Sequence, residues 1–404
     1  MKPVCVSFQL AQKARTPLGH GTGTKDSTGP KAGTSPENDA ARERGRDPKR
    51  GTDPERIAVI AGDGIGPEVM AVGCAVLRAV SSRFGIPVEV TEYDLGAERY
   101  LRDGTTFPDD VAETLRTKTD AILLGALGDP RVPDLRHARD ILFGLRFGLE
   151  LYANIRPMVC LSDRLMPLRD RSAADCNMVV FRENTEGIYV GMGGQFKRGT
   201  PDEIAISEDL NTRKGVERII RAAFDYAVEH GRTTVHMADK SNAMRHAHEL
   251  WLRCFFEVAA DYPSIEAKHM YVDALCFALL RDPSQFEVIV TCNLFGDIVT
   301  DLGAALQGGL GMAASGNVRP GHVSMFEPVH GSAPDIAGKD RANPLATVLT
   351  VGMMMTHLGH NEVEPFLTDV VRRAVDGHHC TEDVGGRLGT RATGEWVLAA
   401  LEGA

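Results

Sequence analysis

From Arg56 onward the apolar residues follow two rhythms. Short runs rich in β-branched and aliphatic side chains occur at 57–61, 88–93, 121–124, 233–237 and in FEVIVT just before Cys292, and they predict strands. Longer stretches carry apolar residues three and four apart, as in the run that reaches Phe84 and in the amphipathic segment 212–229, and they predict helices. Strand and helix alternate along the chain, so the fold class is α/β. TPDEIAISEDLN reads as a strand of an arm or a sheet edge. GDGIGPE makes a glycine turn after the first strand, with Pro67 at a first helical position, but it is not the GxGxxG dinucleotide fingerprint. Near the end, MFEPVHGSAPDIAGKDRANPLATVLT forms a long loop before a helix that Pro344 opens, with Asn343 as a plausible cap. No internal repeat is visible.

Charged residues at the ends of these elements carry the candidate chemistry. In TCNLFGDIVTDLGAALQGG, Asp297 and Asp301 are four apart and share one helix face in its first turns. Two such carboxylates suit a hard divalent cation, Mg²⁺ or Mn²⁺; acids near a helix start are also favoured by the macrodipole alone. Arg146 and Arg156 flank a helix-to-strand transition, where two guanidinium forks suggest a dianionic substrate or else two surface arginines. Arg182 closes a strand, with Tyr189 in the turn beyond. Lys240 follows a strand in the cluster Asp239, Lys240, Ser241, Asn242, as a base or as a solvated loop lysine. Asp273 at a strand-to-helix junction is a third acid of the same kind. His236, His246, His248 and His269 lack metal-ligand spacing and read as structural. Asp335, in the long loop, would accept hydrogen bonds from ribose hydroxyls and repel a 2′-phosphate.

Composition narrows the class. At 404 residues the chain has room for two domains and a large core. With 43% hydrophobic and 25% charged residues it is an ordinary soluble protein, and a net charge of −10 argues against a nucleic-acid footprint. No apolar run is long enough to span a membrane. Residues 1–53 are rich in Gly, Pro, Ser, Thr and basic residues and are expected to be disordered. VCVSFQL is too short for a secretory segment, and the acidic residues of the tail fit a transit peptide poorly. The eight cysteines include no CxxC pair and read as free thiols in a reducing compartment, so the expected location is the cytoplasm.

Seven ordered stretches, GDGIGPEV, LRFGLELYANIRP, FRENTEGIYVG, ADKSNA, YVDA, NLFGDIVTDLGAALQGGLGMAASGN and EPVHGSAPDIAGKDRANP, resemble the β-decarboxylating dehydrogenases of the isocitrate/isopropylmalate family. The resemblance implies a two-domain, non-Rossmann α/β fold with a mixed sheet flanked by helices. It divides the body into a cofactor-binding domain, 54–151 with 309–404, and a substrate, metal and dimer domain, 152–308. It implies a homodimer with shared active sites and a small dicarboxylate substrate, with no nucleic-acid or membrane partner. Arg146, Arg156 and Arg182 would bind the malate carboxylates; Asp273, Asp297 and Asp301 would hold Mg²⁺ or Mn²⁺; Lys240 and Asp273 would come from the second subunit. Lys240 would relay the hydroxyl proton as hydride leaves, and Tyr189 would protonate the enolate carbon after loss of CO₂. Asn242 would touch the nicotinamide, while His330, Gly331, Ala333, Asp335 and Asn343 would hold the adenosine half. An acid at 335 implies NAD.

Leu142 and Phe143 occupy the positions that meet the C3 substituent, and both are apolar, as in isopropylmalate enzymes. Burying a branched alkyl group there is worth roughly 2 kcal/mol. Seven residues before Arg146, however, stands Arg139, where isopropylmalate enzymes usually carry glutamate. Tartrate, D-malate, isocitrate, homoisocitrate or another 3-substituted malate therefore stay open as substrates. A silent regulatory subunit of this family would have lost some of the tyrosine, lysine and aspartates, all of which are present.

Overall fold

In the computed structural model, which describes residues 53–403, the strands gather into one mixed sheet with helices packed on it. The tail expected to be disordered, residues 1–53, lies outside the described residues except for Asp53. The first elements are β1 (Glu55–Ile60), α1 (Gly66–Phe84), β2 (Val88–Glu92), α2 (Ala97–Asp103), α3 (Asp109–Lys118), β3 (Ala121–Leu124) and α4 (Arg136–Gly148). β4 (Ala153–Val159) and β5 (Asn177–Glu183) follow as an antiparallel pair. β6 (Gly193–Phe196) and β7 (Ile204–Ser207) pair with each other as a separate ribbon, which is the arm expected from TPDEIAISEDLN. Next come α5 (Arg213–Glu229), β8 (Thr234–Asp239), α6 (Ala247–Ala259), β9 (Glu266–Tyr271), α7 (Val272–Arg281), β10 (Val288–Thr291) and α8 (Asn293–Leu306). β11 (Ala314–Val318), β12 (Ser324–Pro328), α9 (Leu345–His357), α10 (Val363–Asp376) and α11 (Thr390–Glu402) complete the chain.

The ten strands lie in the order β2-β1-β3-β12-β11-β4-β5-β10-β8-β9. At each end the neighbours are parallel, and inside these parallel blocks AILL of β3 and VIVT of β10 are buried at every position, while the edge strands β2 (VEVTE) and β9 (EAKHMY) are partly exposed. Helices cover both faces of such strands, so no alternation is left to see. β7 is the opposite case, with all four residues of IAIS exposed. In the middle, β12, β11, β4 and β5 are each antiparallel to the next, so the parallel block of β5, β10, β8 and β9 runs against that of β1, β2, β3 and β12. The expected division into 54–151 with 309–404 and 152–308 would cut this sheet between β11 and β4, which are joined at Gly316↔Ile155, Asn317↔Asn154 and Val318↔Ala153. Seven cysteines among the described residues are free, six of them buried.

Candidate active site

The middle of the sheet and α8 build a compact group of opposite charges. Gly296 allows α8 to lie against the stem of Arg182: a Cβ at 296 would come 2.4 Å from the Arg182 Cγ. Arg182, from β5, donates to Asn293 Oδ1 through Nε (3.1 Å) and Nη2 (2.8 Å) and to Asp297 Oδ1 through Nη1 (2.5 Å). Arg156, from β4, donates to Thr300 Oγ1 at 2.5 Å and to Asp297 Oδ1 at 3.4 Å. The Tyr189 hydroxyl donates to Asp297 Oδ2 at 2.9 Å. Arg146, from α4, donates to Glu327 Oε1 at 3.1 Å. The sequence reading missed Glu327; an acid inside an otherwise apolar strand, MFEP, was the available signal.

Burial sets the electrostatics. The three arginines are at most 7% exposed. Desolvation pulls Arg156 below its ordinary value and, with Arg156 beside it, brings Arg182 down to about 10. Burial pushes the Asp297 carboxyl up, but Arg182 and Arg156 outweigh it, so this acid titrates below the usual range. Asp301 is raised, first by burial and then by the charge of Asp297. Tyr189 is raised by burial and by Asp297, so the phenol keeps its proton. The Nε atoms of Arg146 and Arg156 are buried without a hydrogen-bond partner, and Arg146 bonds through Nη2 alone, so the protein's own acceptors do not saturate these guanidinium groups.

One expectation needs correcting. Neither Asp297 nor Asp301 belongs to the first turn of α8, which has no acidic residue, so the charge at the helix N-terminus does not account for them. The Asp301 carboxylate accepts no hydrogen bond from the described residues, and with Asp297 it offers the all-oxygen donor set that a hard divalent cation prefers.

Lys240 and Asp273 form a second group. Lys240 Nζ donates to Asp273 Oδ1 at 2.5 Å, and this bond lowers the Asp273 carboxyl, whose side chain is 68% exposed. The Lys240 backbone N–H donates to His248 Nδ1 at 2.9 Å, and His269 Nε2 lies 2.8 Å from the buried Asp239, which gives those histidines structural work. His236, buried under Phe286, is depressed to about 4 by desolvation. Asn242 is exposed in the turn after Lys240. Among the described residues no three His, Cys, Asp or Glu side chains converge as a metal site, so within one chain Asp273 does not join Asp297 and Asp301.

A cavity of about 1000 Å³ lies under the long loop, lined by His330, Gly331, Ala333 and Asn343 together with apolar residues such as Ile65 and Ile336. Gly64, at φ +58°, makes the approach possible: its Cβ would meet the Ser332 carbonyl oxygen at 2.0 Å, and Ile65 N–H donates to that same oxygen. His330 Nε2 is buried without a partner. Asn343 Oδ1 accepts from Leu345 N–H at 3.0 Å and its amide donates to Asp383 at 2.9 Å, but the N-cap of α9 is Pro344 and not, as expected, Asn343, because the helix begins one residue later, at Leu345. A cleft of this size, which joins those apolar residues to the charged Asp340, Arg341, Glu382, Asp383 and Arg387, has room and polar partners for a nucleotide. Asp335 is exposed and outside the cavity lining; Lys339 Nζ donates to its backbone oxygen at 2.6 Å. On α4, Leu142 packs partly buried on the core around Leu145, Phe143 leans on Phe147 with centroids 5.3 Å apart, and Arg139 is exposed.

Comparison with known proteins gives a consistent result. Residues 56–397 match the family model described as isocitrate/isopropylmalate dehydrogenase. The 3-isopropylmalate dehydrogenase of Thermobifida fusca (strain YX) is 49% identical over 332 residues, covering 80% of this chain and 93% of that protein. The enzyme of the same name from Mycobacterium tuberculosis (strain CDC 1551 / Oshkosh) is 45% identical over 349 residues, 86% of this chain and all of that protein. Among solved structures, isocitrate dehydrogenase from Methylococcus capsulatus superposes with a TM-score of 0.76 at 35% identity, over 86% of this chain and 99% of that one.

Proposed function

Because the chain belongs to the isocitrate/isopropylmalate dehydrogenase family, it is a decarboxylating dehydrogenase, and we propose that it converts 3-isopropylmalate to 4-methyl-2-oxopentanoate and CO₂ with NAD, in leucine biosynthesis. The convergence of Arg146, Arg156 and Arg182, two of them with a buried unpartnered Nε, is the observation that carries this assignment. These arginines bind the two carboxylates of the malate unit, and Leu142 and Phe143 meet its isopropyl group. Asp297 and Asp301 hold Mg²⁺ or Mn²⁺, which when bound polarises the substrate hydroxyl and the carboxylate next to it. Tyr189, kept protonated by its surroundings, gives its proton to the carbon that has lost CO₂.

The hydroxyl proton goes to Lys240 of a second copy of this chain, whose Asp273 supplies the third carboxylate. Such a homodimer has apolar surface to use: Phe277, Leu280 and Ile298 on α7 and α8 and Phe196, Ile204 and Ile206 on the ribbon are all exposed. His330, Gly331, Ala333 and Asn343 hold the adenosine half of NAD, Asn242 meets the nicotinamide, and Asp335 takes the ribose hydroxyls. No helix among the described residues is long and apolar enough to cross a membrane, and seven free thiols suit a cytoplasmic location.

Arg139 supports a second reading. It is exposed on the face of α4 that leads to Leu142 and Arg146, with no acidic partner among the described residues, and it favours a C3 substituent that carries an extra anion. Turnover of the purified protein with NAD and Mg²⁺ on 3-isopropylmalate, isocitrate, homoisocitrate, D-malate and tartrate separates the two. The highest kcat/KM is expected for 3-isopropylmalate; a faster tricarboxylate would replace it.

A further inference from the structure

Three asparagines lie at the centre of the sheet, where aliphatic side chains would pack with less cost. Asn317 (0% exposed) on β11, Asn154 (0%) on β4 and Asn184 (1%) just after β5 are all closed off from solvent. Asn154 is the register partner of both Asn317 and Arg182, so the three side chains share a sheet face. Asn317 Oδ1 accepts from Asn154 Nδ2 at 3.1 Å and from Asn184 Nδ2 at 2.9 Å. These two donors fix which way the Asn317 amide points, and its Nδ2 donates to Glu327 Oε1 at 2.8 Å. As a stabilising device the network is poor, since Asn154 Oδ1 and Asn184 Oδ1 are left buried and unpartnered. It ends on the one oxygen that also receives Arg146 Nη2.

We propose that Asn317 is a positioning residue for Arg146, acting through Glu327. Glu327 is the only hydrogen-bond partner that the Arg146 side chain has among the described residues, so Glu327 sets how the guanidinium fork is presented. Asn317 holds the carboxylate with a single oxygen toward the fork. Released from Asn317, Glu327 turns both oxygens onto Arg146 in the bidentate arrangement that carboxylates prefer, and so competes with the substrate for the same donors. The inference rests on the reading of Arg146 as a substrate carboxylate ligand.

The test uses Asn317→Asp, which keeps the shape and the acceptor for Asn154 and Asn184 but removes the donor to Glu327, alongside Asn317→Ala. Both variants should raise the KM for the malate substrate by about tenfold, the cost of one hydrogen bond to a charged group, with the KM for NAD within about twofold of wild type. In a Glu327→Gln background the effect of Asn317→Asp should largely vanish, because the released carboxylate is no longer there to mask the fork. Additive effects in that cycle, or equal rises in both KM values, would overturn the proposal and leave Asn317 a packing residue. A crystal structure of Asn317→Asp provides a readout that does not depend on turnover: Glu327 should engage Arg146 with both oxygens, and an unchanged Glu327–Arg146 geometry refutes the relay. Wild-type protein that turns over none of the malates would refute the proposed function alone, with the crystal structure still deciding the relay.

Discussion

The arginine cluster and the Lys240–Asp273 pair use similar side chains in opposite surroundings. Arg156 and Arg182 are almost wholly buried, and Asp297 answers both of them along with Tyr189. Such charges are costly to bury unless paired, so the cluster has to be nearly complete before anything binds. Lys240 and Asp273 are bonded at 2.5 Å, but Asp273 stands largely in solvent. A pair of that kind contributes at most about 1 kcal/mol to folding. The cluster is closed around its own charges within one chain, whereas the pair stands in solvent beside the exposed Phe277 and Leu280.

The contrast can be broken at its strongest point first. Asp297→Asn should lower kcat/KM by more than about a hundredfold, beyond what losing an outer partner of a metal ligand costs. Exhaustive chelation of the wild type should have a comparable effect, and full turnover after chelation would remove the metal assignment. Next, Arg146→Ala and Lys240→Ala should each be inactive alone yet regain activity when unfolded and refolded together, because a mixed dimer contains one intact site. A mixture as silent as its parents would mean that each chain completes its own site.

A region outside both groups gives a smaller effect. At an effective dielectric of about 20, a 2′-phosphate roughly 4 Å from Asp335 is repelled by about 4 kcal/mol. Asp335 is exposed, so solvent and salt reduce this to about tenfold discrimination. The ratio of kcat/KM for NAD over NADP should therefore fall by about that factor in Asp335→Lys, with the metal requirement unchanged. A ratio that stays put means another residue chooses the cofactor. Smallest of all, Asp273→Ala should change the urea-unfolding free energy by less than about 1 kcal/mol while removing activity. A larger loss of stability would make the pair part of the fold rather than part of a site.

Much of the candidate site was legible because its residues stand at element ends that local patterns reveal. Arg182 is next to the end of β5, Lys240 follows β8, Asp273 is in the first turn of α7, and each stands where a run of apolar residues gives way to the next element. Glu327 and Asn317 were not legible. They lie inside the short strands β12 and β11, and the side chains they meet, Arg146, Asn154 and Asn184, are far away in sequence; MFEPVH read as the start of a loop. The acids of α8 were placed on one helix face after a strand ending near Cys292; what fails is the macrodipole alternative, since the helix begins at Asn293 and its first turn is neutral.

The sequence by itself determined the α/β alternation, one strand of the ribbon and the residues proposed for the chemistry. Side-chain periodicity of two or of three to four is a local property, and the motifs need no knowledge of neighbours. The tertiary structure alone decided which of those residues meet. Reversal of strand direction through β12, β11, β4 and β5 brings Arg146, Arg156, Arg182 and Glu327 to one place and leaves Lys240 and Asp273 elsewhere. That choice is made by long-range pairing and burial, and no window along the chain contains both partners of any of those contacts.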